Sequence, residues 1–436
     1  MPTPDNRSPA EHDCDRILYS DELRRLGGVT QVVAVGETPL FHTRLTHTLK
    51  VQQLARRLAE HIDRDPAQKE RLAAVGGVDV AAAEAAGLAH DLGHPPFGHV
   101  GEEELNERCS HYGLDGFEGN AQTFRILAKL ATHPAVPRGQ GLGLSPRTLC
   151  AVIKYPELRI GQHEHNKKWN AYPTEHGEFN AARDALGLGP GERSLEAAIM
   201  DWADDVTYAF HDLEDFIRAR HVPITALIWN DEERNAFVDA SWSRVEKKAP
   251  GADREAVVDR FLGLLTLAGF GTAYKERDWL HSRDILDGCR FLIHEYVSRA
   301  ELGDKAQPLA IPETVRAEVE LFKQLTWYYV IFDPRLASLQ LGQQNIIRQL
   351  FDSLHGWLRK ADQDKILQRV PHRLRWALEL THQETGSLFY ASRDDARYAR
   401  AVADFIASLT EGQTVDLHRR VVSSTGQSVL DPWMVY

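Results

Sequence analysis

The chain is short of the features that mark several common protein classes. Its four cysteines, Cys14, Cys109, Cys150 and Cys289, are scattered through 436 residues and form no Cys-x-x-Cys pair. That spacing excludes a disulfide scaffold and a zinc ribbon, and leaves reduced thiols as the plain reading. No apolar run approaches the roughly 18 residues of a membrane span. The first fifteen residues lack the basic start and apolar stretch of a secretory signal, so residues 1–15 read as a flexible tail on a cytoplasmic protein. Positive charge is in deficit: 51 Lys and Arg against 63 Asp and Glu give a formal net charge of −12. This balance argues against a general nucleic-acid coat, which draws most of its affinity from neutralised phosphates; a local basic groove stays open. Strand-like alternation is scarce, and there is no internal repeat or low-complexity tract.

What is present is an ordinary globular composition, 43% apolar and 26% charged, with helical periodicity almost throughout. From 44 to 62, His47, Val51, Leu54, Leu58 and Ile62 recur three or four apart, one stripe of an amphipathic helix with His47 on its inward face. The alanine-rich stretch 79–92 favours helix, and Gly93, Pro95 and Pro96 stop it, which places His90 and Asp91 in a last turn. Between 195 and 217, Leu195, Ile199, Trp202, Val206, Leu213 and Ile217 form one stripe, while Asp204, Tyr208 and Asp212 stand four apart on another ridge. Further helices are expected at 120–132, 254–268, 284–300, 312–330, 343–361 and 395–409, with loops at 134–146 and 187–191. The expectation is an all-α fold forming a single large domain.

Adjacent His90 and Asp91 can hand one nitrogen and one oxygen to a single cation. A histidine on an apolar helix face is more often a satisfied core residue than a ligand, and an acidic ridge is usually solvated. The combination of His47, His90, Asp91 and Asp204 is less innocent. Two imidazoles and two carboxylates give a mixed shell with room for water or a phosphate oxygen, suited to Mn, Mg, Fe or Zn. His111, His133, His163, His165 and His176 are irregularly spaced and are not read as ligands.

His47, then His90-Asp91, then a distant aspartate resemble the H…HD…D signature of HD-domain metal-dependent phosphohydrolases. The stretches around them are similar to the deoxyguanosine triphosphate triphosphohydrolases and their dNTPase relatives. The similarity runs through Asp15-Arg-Ile-Leu-Tyr-Ser, Arg24-Arg-Leu, Thr30-Gln-Val, Arg44-Leu-Thr-His-Thr-Leu-Lys-Val and His90-Asp-Leu-Gly-His-Pro-Pro-Phe-Gly-His-Val-Gly-Glu. It continues through Gly116-Phe-Glu-Gly-Asn-Ala-Gln-Thr-Phe-Arg-Ile-Leu, Lys154-Tyr-Pro and Met200-Asp-Trp-Ala-Asp-Asp-Val-Thr-Tyr-Ala-Phe-His-Asp-Leu-Glu-Asp. Later matches are thinner: Phe322-Lys-Gln-Leu-Thr-Trp, and Ala403-Asp-Phe-Ile-Ala-Ser-Leu-Thr-Glu, where relatives more often carry Gly-Met-Thr-Asp at the end.

The resemblance implies a divalent metal ion held by His47, His90, Asp91 and Asp204, with Asp204 preferred to Asp205 because Tyr208 and Asp212 follow it by four and eight residues. It implies Gln31 and Asp212 on the sugar 3′-hydroxyl, with Tyr208 against the deoxyribose, so that close packing excludes a 2′-hydroxyl. Hydrolysis at an α-phosphorus also needs cations along the triphosphate: Arg44, three residues before His47, is the best α-phosphate clamp. Lys154 and Lys323 are further candidates or else solvated surface charges, and Tyr155 is either a phosphate or sugar contact or a helix-end aromatic before Pro156. His99, supported by Glu102, is the implied proton-transfer residue and His94 a phosphate contact, the two histidine roles not being firmly separable.

The implied organisation is an HD-domain catalytic core over 16–230 with a helical part over 231–436 packed on it. The implied activity is hydrolysis of a deoxynucleoside triphosphate, dGTP or several dNTPs, to deoxynucleoside and inorganic triphosphate. A homo-oligomer with a dNTP effector is expected, with no membrane partner; single-stranded nucleic acid is an open but unindicated partner. Two alternatives stand beside this reading: an HD phosphohydrolase acting on another nucleotide, such as a monophosphate or a signalling nucleotide, and a nucleotide-sensing regulatory protein.

Overall fold

The computed structural model describes residues 5–31, 42–158, 168–270, 280–384 and 394–422. Helices dominate it; the described strands are a two-residue antiparallel pair, β1 (Glu301–Leu302) and β2 (Leu309–Ala310), in register Glu301 with Ala310 and Leu302 with Leu309. The fold is all-α, as the periodicity predicts. Among the described residues no helix is long and apolar enough to cross a membrane.

The expected tail is shorter than fifteen residues. Helix α1 (Pro9–Leu18) starts at a capping box: the Glu11 N–H donates to Ser8 Oγ at 3.2 Å, and the Ser8 N–H to Glu11 Oε2 at 2.6 Å. Pro at the first position and a reciprocal Ser and Glu cap suffice to begin a helix in a polar stretch, and Ile17 anchors it in the core.

The central helices are α2 (Arg44–Arg64), α3 (Val80–Ala89), α4 (Gly98–His111) and α5 (Leu195–Arg218). Val51, Leu58 and Ile62 of α2 and Ile199, Trp202, Val206 and Leu213 of α5 are buried together, so the two predicted stripes face a shared core. That core continues past residue 230 through Phe237, Phe261 and Tyr296 to Phe322 on α6 (Glu313–Thr326). The Trp202 indole donates to Tyr296 O at 3.3 Å.

A second core joins Leu105 of α4 to Leu350, Phe351 and Leu354 of α7 (Pro334–Gln363), to Val402 and Phe405 of α8 (Asp394–Ala407) and to Leu417 of α9 (Glu411–Val421). A third packs α1 and α3 against Phe124, Leu127 and Ile153. The expected helix at 120–132 is an α-helical turn set, Gly119–Arg125, that widens into a π segment, Ile126–Leu130; the 312–330 helix ends likewise in a π segment, Trp327–Ile331.

Candidate active site

The site forms where α3 ends against α2. A Cβ on Gly87 would lie 2.7 Å from Gln52 Cα, so only glycine lets the two backbones approach this closely. The Gly87 carbonyl is then free to accept from His90 Nδ1 at 2.8 Å. Beyond His90 the turn is held to the Gly119–Arg125 helix: the Gly93 N–H donates to Thr123 Oγ1 at 2.9 Å, and the Thr123 hydroxyl donates to His90 O at 3.1 Å. Gly93 is pressed against that helix, and a Cβ there would meet Gly119 O at 2.1 Å.

These constraints bring His47, His90, Asp91 and Asp204 together. His47 Nε2 lies 3.2 Å from Asp204 Oδ1, and His90 Nε2 lies 3.6 Å from the same oxygen and 3.5 Å from Asp91 Oδ2. A carbonyl can only accept, so His90 Nδ1 carries a proton, and in a neutral ring Nε2 then presents its lone pair to two carboxylates. His90 Nε2 is buried and has no hydrogen-bond partner. A lone pair facing two anionic oxygens at this range is unfavourable unless a cation stands among them, so the donor set fits a divalent metal ion. Donor atoms of His47, His90 and Asp91 lie within 4.8 Å of one another.

Cations surround the cluster. Arg44, three residues before His47 and buried, donates to Asp91 Oδ2 at 2.8 Å. Lys154 Nζ lies 3.0 Å from Asp204 Oδ2 and 2.8 Å from Asp201 Oδ1. Burial alone would raise both acids. For Asp91 it is outweighed by His90, Arg44 and His94, and for Asp204 by Lys154 and His47, so both carboxyls sit well below the usual range. Burial lowers His47 against the opposing pull of Asp204. Two ionised carboxylates and an imidazole kept from protonation are the states in which these groups donate to metals.

His94 and His99 are separated by the structure. His94 is buried with Nδ1 3.1 Å from Asp91 Oδ1, and burial followed by the nearby Arg44 charge pulls it down to about 4. His99, in the first turn of α4, is 67% exposed and places Nδ1 3.0 Å from Glu102 Oε2. Burial pushes Glu102 up, but its contacts with His99 and Lys168 hold it well below the usual range. Its other oxygen accepts from Lys168 Nζ at 3.0 Å and the Gly119 N–H at 3.2 Å.

Along α5, Asp204, Tyr208 and Asp212 follow one another on the ridge read from sequence. Asp212 is buried, its Oδ2 has no partner, and burial with neighbouring Asp215 pushes it well above the usual range. Gln31 is half-buried with an unpartnered Oε1. Burial raises Tyr208 and Tyr155. Asp205 points elsewhere and pairs with Lys323, whose ammonium lies 5.9 Å from the Tyr208 ring centroid. Of the histidines set aside, His111, His133 and His176 join no metal-capable cluster among the described residues, while His163 and His165 lie outside the described residues.

Sequence reasoning passed over several residues that shape the site. Arg25 Nη2 donates to Leu92 O at 2.9 Å and His94 O at 2.7 Å, and its Nη1 to Leu409 O at 3.1 Å. Glu411 Oε1 accepts from the Thr30 N–H at 2.7 Å and the Phe97 N–H at 3.1 Å. Both lie inside quoted strings, Arg24-Arg-Leu and Ser-Leu-Thr-Glu, so the signal was present without a role. Asp201 likewise lies inside the string that begins at Met200, whereas Lys168 lies in none of them.

The chain is similar to known proteins over nearly its whole length. Residues 44–209 match the HD domain family and residues 309–420 match the phosphohydrolase-associated domain family. A deoxyguanosinetriphosphate triphosphohydrolase-like protein of Streptomyces coelicolor is 35% identical, the alignment covering 96% of this chain and 95% of that one. Proteins of the same name from Corynebacterium glutamicum and Shewanella pealeana are 31% and 29% identical, covering 97% and 98% of this chain and 93% and 95% of their own. HD domains bind divalent metals, and a divalent metal ion is the cofactor here. With its HD segment, its associated segment and near full-length similarity to these relatives, the chain belongs to the deoxyguanosinetriphosphate triphosphohydrolase-like family of HD-domain nucleotide phosphohydrolases.

Proposed function

We propose that the protein hydrolyses deoxynucleoside triphosphates between the 5′-oxygen and the α-phosphorus, releasing deoxynucleoside and inorganic triphosphate. The observation that carries the reading is the row on α5. Asp204 joins the His47 and His90 cluster, while Asp212, two turns on, is a buried carboxyl with an unpartnered oxygen, its hold on a proton strengthened by burial and by Asp215. A protonated carboxyl can both donate to and accept from a sugar hydroxyl, and the Gln31 amide oxygen supplies a second acceptor. Tyr208 between them offers a flat wall for a deoxyribose face.

The residues for the metal are His47, His90, Asp91 and Asp204. A divalent ion there supplies polarisation of a phosphoryl oxygen and orientation of a water. The remaining work falls to side chains. Arg44 and Lys154 offset the roughly four negative charges of the triphosphate, and His94 adds a neutral contact. Water oxygen joins the α-phosphorus as the bond to the 5′-oxygen breaks; that oxygen takes a proton from His99, which Glu102 orients, and the proton shed by the water restores His99. On family resemblance we also propose a homo-oligomer with a dNTP effector, to be tested by light scattering and by assaying dNTPs singly and in pairs.

Product analysis by ion chromatography tests the proposal. Intact triphosphate with a free deoxynucleoside is the expected result, with ribonucleotides turned over far more slowly. Orthophosphate or pyrophosphate as first product would overturn it in favour of another nucleotide phosphohydrolase.

A further inference from the structure

Next to Asp212, α5 and the start of α2 enclose a second cluster that none of the steps above uses. His42 directly precedes Thr43, the N-cap of α2. Asp215 holds it through the backbone, the His42 N–H donating to Asp215 Oδ2 at 2.7 Å, while Asp215 Oδ1 lies 2.7 Å from His42 Nδ1 without the geometry of a hydrogen bond. The backbone bond ties His42 to α5, and with the carboxylate beside Nδ1 the other ring nitrogen, Nε2, faces the interior of the cluster.

Lys50 Nζ stands there, 2.5 Å from His42 Nε2 and 2.6 Å from His211 Nδ1. Glu214 completes the wall. It is only 4% exposed, its Oε2 has no hydrogen-bond partner, and that oxygen lies 3.7 Å from His211 Nδ1. Donor atoms of His42, His211 and Glu214 lie within 4.8 Å of one another.

We propose that His42, His211 and Glu214 form a second divalent-cation site, of the zinc class, for which the Lys50 ammonium is the built-in competitor. Two imidazole nitrogens and one carboxylate oxygen make a three-ligand set with an open fourth position, which suits zinc better than magnesium or calcium. The cluster is already arranged around a positive charge. The flexible stem of Lys50 lets the ammonium leave, and a divalent ion then satisfies the unpartnered Glu214 oxygen that the lysine does not reach. Such an ion would tie the residue ahead of α2's first turn, which carries Arg44 and His47, to α5, which carries Asp204 and Asp212. The site is independent of the proposed reaction.

The test uses the full chain, without any affinity tag, bearing His47→Ala, His90→Ala and Asp91→Ala so that the first cluster no longer binds metal. Chelator-cleared protein is titrated with Co2+, read by d–d absorption, and with Zn2+ by equilibrium dialysis. The expected result is one equivalent with a nitrogen-rich Co2+ spectrum. Lys50→Met should tighten it about tenfold or more by removing a buried like charge, and Glu214→Gln should abolish it while circular dichroism stays that of the parent. If Lys50→Met binds no more tightly than its parent, or Glu214→Gln still binds an equivalent, the proposal is overturned. The lysine variant removes a charge without removing a ligand, so its result stands even where Glu214→Gln fails to fold.

Discussion

Replacing Gly87 by alanine sets two effects of opposite sign against each other. In a helix interior open to solvent, alanine stabilises by about 1 kcal/mol relative to glycine. Here the new Cβ would stand 2.7 Å from Gln52 Cα and 2.9 Å from Gln52 N, both backbone atoms of α2 that no side-chain rotation can move aside. To reach an ordinary contact of 3.4 Å the helices must part by about 0.7 Å. Overpacking of this kind costs about 1–3 kcal/mol, so the propensity gain is cancelled or exceeded and the net loss is up to about 2 kcal/mol. The site should suffer more than the fold. His47 rides on α2, His90 is anchored to the Gly87 carbonyl, and metal distances tolerate only about 0.2 Å of error. Divalent metal affinity should fall about 10–100-fold. Urea denaturation and calorimetric titration of the variant with Mn2+ measure the two effects separately. A variant about 1 kcal/mol more stable than the parent, with unchanged metal affinity, would refute the claim that close helix approach builds the site.

Asp91→Ala and Asp204→Asn should each abolish metal binding and turnover, whereas Asp205→Asn, which removes only the partner of Lys323, should retain both; elemental analysis beside a dNTP assay decides it. Arg25→Met strips a charged donor from the carbonyls of Leu92, His94 and Leu409; unfolding should become easier by about 3 kcal/mol and kcat should drop at a permissive temperature, a result contradicted by full activity. Glu175 gives a pH prediction away from the metal. Burial raises it, but Arg125 and Lys129 outweigh burial and lower it, so it contributes stability above the ordinary glutamate range near about 4.3 that is lost as pH falls through its lower folded value. Glu175→Gln should therefore be less stable at pH 7, with the gap narrowing on acidification; a constant gap down to pH 3 would contradict it.

The helices were legible where one face is apolar. The stripe His47, Val51, Leu54, Leu58 and Ile62 gave α2 to within two residues, and the Gly93 and Pro95 stop placed His90 at the end of α3. Helices without such a face were missed. Asp231–Lys248 carries charge on most sides, and the first turns of α7, from Pro334 to Gly342, bury no residue fully, so only the part from Gln343 onward showed a stripe. α4 escaped because its buried residues include Glu102 and Glu104, which an apolar pattern does not count. At the site, spacing could nominate His90, Asp91 and the Asp204 ridge because their neighbours share a helix. It could not show that Arg25 meets Leu409, 384 residues away, or that Lys154 would stand between Asp201 and Asp204. Such partners meet only through the tertiary fold.

The grip of Glu411 on Thr30 and Phe97 has a consequence for the order in which the protein comes into being. Thr30 precedes Gln31, and Phe97, held in a left-handed conformation at φ 66°, sets the entry to α4 and hence the placing of His99 and Glu102. A chain emerging from the ribosome has made every proposed metal ligand by Asp204, yet lacks the carboxylate that fastens both backbone donors until Glu411 appears. Synthesis therefore fastens this turn only after every proposed metal ligand has been made. A chain stopped before Glu411 would carry the proposed metal-binding residues without the carboxylate that holds Thr30 and Phe97, and its entry to α4 should be the looser for it.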